Sequence, residues 1–139
     1  MAMKQISVFL DDSVNRFGEI IRVLAGNHIN IRAINITNTA DLGILRLIVN
    51  KQDDALRVLN SEGFTTRVSD VAAVEIDDSP GGLAGVMELF QKTRVKIEYL
   101  YTTRGSKDDK AVVIFKLQNH EEGLLILTKN GLTMVEKLL

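Results

Sequence analysis

The chain repeats itself. Asp11-Asp12-Ser13 returns as Asp77-Asp78-Ser79, an offset of 66 (77 − 11 = 66). The same offset sets Phe17 on Leu83, Ile20 on Val86, Leu24 on Phe90, Ile29 on Val95, Ile31 on Ile97 and Leu47 on Val113. Near the end it lengthens to 68, where Gly63-Phe64-Thr65 meets Gly131-Leu132-Thr133 (131 − 63 = 68). The second copy thus carries about two extra residues before its last strand. Two units are too few for an open solenoid, which needs at least about three. A duplicated small domain is the simpler solution, and it holds two copies of any site, free to diverge.

The 139 residues divide into a first domain, 1–69, and a second, 70–139. A unit of about 70 residues buries only about 60% of its unfolded surface. Each half should therefore lean on its twin or on another chain. The net charge is −1 and the pI about 6.1, so no basic excess points to nucleic acid or an anionic membrane. Cysteine is absent, which excludes disulfides and thiol metal sites. No signal-like segment or membrane span stands out, and a cytoplasmic location is expected.

Within each copy the hydrophobic period changes in the same order. Ile6, Val8 and Leu10 alternate over 4–10, as in a half-buried strand. Phe17, Ile20, Ile21 and Leu24 follow at helical spacing, after an Asp-Asp-Ser run with turn and N-cap chemistry. Gly26-Asn27 predicts a left-handed stop. Strands are expected at 29–37, 44–50 and 64–68, with a helix opened by Asp53-Asp54 and closed by Gly63. A new strand is expected from Val71. Strand, helix, strand, strand, helix, strand is the split βαβ order of the ferredoxin-like sandwich. The expected class is α+β: two tandem βαββαβ sandwiches, each an antiparallel sheet with two helices on one face.

Two irregularities recur in both copies. Ile44 and Ile48, like Val112 and Ile114, fall on the strand face away from the helices, where a solvated sheet should be polar. That face is expected to be covered, by the sister domain or by a second chain. Ile29 and Ile31 share one parity while Ile34 and Ile36 share the other, which predicts a bulge or a late start of that strand.

The run Asp-Asp-Ser-Pro-Gly-Gly-Leu (77–83), a helix, and then Val-Lys-Ile-Glu-Tyr-Leu (95–100) resemble the ACT domain. Ile29-Asn30-Ile31-Arg32-Ala33 is closer still to that family's helix-to-strand passage. Both copies share the resemblance, which spans essentially the whole chain and is similar to small stand-alone tandem-ACT proteins. It implies a regulatory role without catalysis or cofactor. The ligand would be a small amino acid at an interface between two such domains; a homodimer is expected separately, because pairing would cover the open edges of an antiparallel sheet and most such assemblies are two-fold symmetric. Amides of the turn after strand one would receive the ligand carboxylate, as a helix N-terminus suits an anion.

Carried over by position, the implied ligand-binding residues are Asp12, Ser13, Val14, Asn15, Asn30 and Ile31 in the first copy. In the second they are Asp78, Pro80, Gly81, Lys96 and Ile97. Val14-Asn15 replaces the family's Pro-Gly, and Lys96 replaces its Asn. Each copy keeps half of the pattern, which allows a composite site joining the Pro-Gly turn of one copy to Asn30-Ile31 of another.

Other signals have simpler structural explanations. The Asp pairs are read as helix caps, and neither His28 nor His120 has metal-ligand spacing. Tyr99 and Tyr101 on a strand suggest an RNA-recognition motif, but the aromatic content is 5% and the charge is not basic. An acylphosphatase would need a phosphate loop, and the loop here is acidic. The alternative from another class is a ligand-free interaction module, a small regulatory subunit of an amino-acid biosynthetic enzyme.

Overall fold

The computed structural model describes residues 3–11, 16–39 and 41–138. It divides into two compact units, one of residues 4–69 and one from residue 70 onward that also takes in Met3. In the first unit β1 (Met3–Asp11) leads to α1 (Arg16–Gly26), β2 (Ile31–Asn38), β3 (Leu42–Val49) and α2 (Gln52–Ser61). The next strand, β4 (Thr65–Asp77), starts in the first unit and ends in the second. There α3 (Gly82–Gln91), β5 (Ile97–Arg104), β6 (Lys110–Leu117), α4 (His120–Lys129) and β7 (Thr133–Met134) follow.

In the first unit β3 lies between β1 and β2, antiparallel to both. Ile6, Val8 and Leu10 of β1 and Leu45 and Leu47 of β3 join Ile20 and Leu24 of α1 and Ala55 and Leu59 of α2 in one core. In the second unit β6 lies between β4 and β5, again antiparallel. Ala72, Val74, Val113 and Phe115 meet Val86 and Phe90 of α3 and Leu127 of α4. Alternation places one side of each strand in these cores, as period two requires.

The expected bulges are present. Register shifts between Ile31 and Ala33, and again between Ile97 and Tyr99. The parity change of the isoleucines records this extra residue. On the opposite sheet faces Ile44 is half-buried. Ile48, Val112 and Ile114 are buried with a single chain present, as is the polar pair Gln5 and Ser7, whose side chains share a 3.3 Å hydrogen bond.

Three local expectations fail. Residues 64–68 and the segment from Val71 are not separate strands but one, β4. Nothing in Thr65–Asp77 breaks extension, since the segment holds neither Gly nor Pro. The stop of α1 is not made by Gly26-Asn27. His28 takes the left-handed conformation, with φ 59°, while Asn27 Nδ2 donates to Val23 O at 2.8 Å. A Cβ is disfavoured there by about 1–2 kcal/mol, partly offset by the freedom glycine adds to the unfolded chain. His28→Gly is expected to stabilise by about 0.5–1 kcal/mol, read as a raised urea midpoint at unchanged m.

The Asp-Asp-Ser run is not a helix cap in the second unit. The N-cap of α3 is Gly81, with φ 91° and no side-chain cap bond. Ser79-Pro80-Gly81 is spent on a turn closed by Gly82 N–H to Ser79 O at 3.0 Å. Asp77 pairs with Lys110 instead. The capping reading of Asp12 and Ser13 lies outside the described residues. A side-chain cap does form on α4, where Asn119 Oδ1 accepts from Glu122 N–H at 3.1 Å.

Candidate functional site

The turn from β4 into α3 opens a cavity of about 370 Å³ whose walls include Asp77, Gly81, Gly82, Gly85, Lys110 and Gly131. Glycine makes the opening possible. A Cβ at Gly82 would lie 2.1 Å from the Asp77 carbonyl oxygen, so the helix start can approach the strand end only without a side chain. A Cβ at Gly85 or Gly131 would meet nothing within 4 Å. At the offset of 66 the first copy has Arg16 for Gly82 and Glu19 for Gly85. These two side chains pair at 3.4 Å, and Arg16 also lies over the Phe64 ring at 4.5 Å. The two copies have therefore diverged at the helix start, bulky and paired in one, bare in the other.

The charged residues lining the cavity are Glu75, Asp77 and Lys110. Its hydrogen bond to the Asp77 carboxylate, with that group's charge, holds the Lys110 ammonium above its ordinary value of 10.5, helped by Asp109 and Glu75. Lys110 is therefore a permanent cation here. Asp78 directs its N–H to Asp109 O at 2.8 Å, which ties the turn to the β5–β6 loop.

Of the residues expected at a site, Gly81 lines this cavity. Asp78 and Pro80 belong to the same exposed turn. Asp12, Ser13, Val14 and Asn15 lie outside the described residues. Asn30 precedes β2, and its N–H donates to Asn50 Oδ1 at 2.9 Å while its carbonyl accepts from Asn50 N–H at 3.1 Å. Ile31 begins β2 and Ile97 begins β5. Lys96 lines a different hollow, of about 590 Å³, with Arg94, Asn119 and His120 at the start of α4. Both ring nitrogens of His120 are buried without a hydrogen-bond partner.

Register separates the two halves of the expected site within each unit. Asp77 lies opposite Lys110 and Ile97 opposite Leu117, at the two ends of β6. Seven residues of strand span about 23 Å. In the first unit Asp11 lies opposite Leu42 and Ile31 opposite Val49, at the two ends of β3. The cause is topological, since a helix returning the chain for a parallel strand must deliver it to the far end of the sheet. The turn and the strand start of one unit thus cannot touch the same small molecule.

Sequence reasoning missed Gly82, Gly85, Lys110 and Gly131. A signal existed in Gly81-Gly82-Leu83-Ala84-Gly85, a run of glycines where a helix should begin. Lys110 and Gly131 gave none, because their approach depends on strand pairing and on the α4–β7 loop. Among the described residues no helix is long and apolar enough to cross a membrane, and no three His, Cys, Asp or Glu form a metal cluster.

Solved structures share this arrangement. A protein from Bacteroides thetaiotaomicron is 32% identical, with 97% of this chain and 92% of that one covered at a TM-score of 0.88. The regulatory subunit of aspartate kinase from Thermus thermophilus, in a ligand-free form, is 19% identical, with 92% of each chain covered and a TM-score of 0.64. The corresponding subunit from Thermus flavus is 16% identical, with 93% and 92% covered and a TM-score of 0.61. These last two likenesses are of fold, the tandem ferredoxin-like α+β architecture. A search of curated protein sequences returns no match. The family model described as an ACT domain pair matches residues 1–138. ACT domains are regulatory modules, and this chain belongs to their family as a tandem pair.

Proposed function

We propose that this protein is a non-catalytic, cytoplasmic regulator that binds a small amino acid at an interface between ACT domains, acting as a homodimer. The domains are 1–69 and 70–139. One observation carries the reading: in each unit the turn after the first strand and the start of the second strand lie at opposite ends of the sheet. A ligand using both needs two domains, so its binding is coupled to how domains are arranged. It shifts that arrangement by its differential affinity for the two states. The bare turn of the second copy, Asp78, Pro80 and Gly81 with Gly82 and Gly85, is the open half. Asn30 and Ile31, or Lys96 and Ile97, of a neighbouring domain complete it. Asp12, Ser13, Val14 and Asn15 stand at the corresponding sequence positions of the first copy.

A thermal-shift screen of the 20 amino acids tests this. A ligand at about 100 times its Kd stabilises by about 2.7 kcal/mol, a shift of several degrees. Gly85→Leu should abolish the shift by filling the cavity. It should not weaken the unliganded protein, because leucine is the better helix former by roughly 0.7 kcal/mol and a Cβ there meets open space. Asn30→Ala should reduce the shift. No response to any amino acid would favour a ligand-free module docking on a biosynthetic enzyme. The exposed Ile34 and Ile36 of β2, 41% and 46% accessible, would then be its contact surface.

A further inference from the structure

On the sheet face away from α3 and α4, the second unit holds another cavity, of about 280 Å³. Val112 provides part of its wall. Val112 is paired with Glu75, so both alternate away from Val74 and Val113, which belong to the helix-side core. The remaining wall comes from the chain after β7. Val135 N–H donates to Ala73 O at 2.8 Å, which holds that segment against β4. Val135 and Leu138 line the cavity, and Leu138 is buried. The repeat predicts none of this, because the short β7 and the segment behind it depart from the first copy, where β4 runs on.

Polar groups line the cavity as well. Arg104 and Lys137 line the cavity and form no ion pair among the described residues. Ser106 Oγ donates to Glu75 Oε1 at 2.9 Å, so the one carboxylate is already engaged. Two cations and one carboxylate leave a charge of about +1, which a monoanion would neutralise. An apolar wall facing a few convergent polar groups is the usual make-up of a small-molecule site, and the volume is just below the roughly 300 Å³ lower bound for drug-sized ligands.

We infer that this cavity binds a small monocarboxylic acid with a short apolar tail, the tail against Val112, Val135 and Leu138 and the carboxylate toward Arg104 and Lys137. The site is distinct from the glycine-lined turn, although the two cavities share Glu75 and Thr133 as walls.

The test is amide chemical-shift mapping of the full chain with three probes that share a branched five-carbon tail and differ in head group: 4-methylpentanoate, L-leucine and 3-methylbutan-1-amine. 4-Methylpentanoate should move the amides of Ser106, Val112, Val135 and Leu138, with the other two at least tenfold weaker there. Arg104→Gln should weaken the acid about tenfold, and Val135→Trp should abolish the response by filling the cavity. Gly85→Leu should leave it unchanged. The inference is overturned if the acid moves none of these amides, or if the amine or L-leucine moves them equally well. It is also overturned if the response survives both Arg104→Gln and Val135→Trp, or if Gly85→Leu removes it. Loss of the amino-acid thermal shift in Gly85→Leu alone bears on the other site and leaves this one standing.

Discussion

Phe115→Ala is expected to destabilise the protein by about 3–5 kcal/mol, the usual cost of deleting a buried phenylalanine. Phe115 is fully buried at the middle strand of the second unit. Its ring meets Phe90 of α3 edge-to-face, with centroids 5.3 Å apart, a geometry worth roughly 0.5–1.5 kcal/mol beyond burial. The residue thus ties helix to sheet. The surrounding β-branched strand residues cannot collapse into the hole without breaking the β4–β6 and β5–β6 registers. For a chain of this size the loss corresponds to a fall in Tm of roughly 10–20 °C. Thermal unfolding followed by circular dichroism checks it, and a fall below about 3 °C would mean that the second unit adds little to the measured transition.

Gly82→Ala should also destabilise the protein, for a different reason, and on the proposed function it should remove ligand binding at the glycine-lined turn. The added methyl would sit 2.1 Å from the Asp77 carbonyl oxygen, far inside contact distance. Asp77 cannot easily retreat, because it is in register with Lys110 and its side chain pairs with that lysine. The helix start must move instead, and with it the cavity wall at Gly81. Overpacking of this kind costs about 1–3 kcal/mol, occasionally more. Gly85→Ala, one turn along the same helix, meets open space and should stabilise by roughly 1 kcal/mol. Measuring the two side by side by urea denaturation separates a steric effect from any general intolerance of glycine replacement. Equal stability of the two variants would show that the close approach at Gly82 does not constrain the turn.

Divergence between copies gives these predictions their functional sense. Arg16 and Glu19 occupy in the first unit the helix positions that Gly82 and Gly85 leave bare in the second. Removing a side chain at a helix start exposes backbone amides and leaves room for a ligand. A paired Arg and Glu fill that room.

Much of the molecule was legible in the chain before any coordinates. The repeat at 66, the change from period two to helical period and the doubled element order determined two βαββαβ units. These are local patterns, set by which side chains must be buried on a strand or helix. The parity change at Ile31 to Ile34 likewise carried the β2 bulge. Other local features were misjudged because the residues did not act alone. Symmetry with the repeat suggested a break in β4, yet Thr65–Asp77 contains no residue that would interrupt a strand. His28 rather than Gly26 or Asn27 turned left-handed, because Asn27 was drawn back to the Val23 carbonyl. The Asp-Asp-Ser run looked like a cap, but Lys110, 33 residues further on, took Asp77.

What the sequence alone determined, then, is the doubled order of elements, which follows from periodicity and repetition along the chain, and the resemblance to the ACT family, which rests on the motifs at 29–33, 77–83 and 95–100. Tertiary structure decided where the openings are. Gly85, Lys110 and Gly131 become neighbours only when β6 pairs with β4 and the α4–β7 loop returns beside them. The two halves of each unit's expected site part by a sheet's length because a crossover helix carries the chain from one end of the sheet to the other. Proximity of this kind depends on hydrogen-bonded register between distant segments, which no local pattern of side chains encodes.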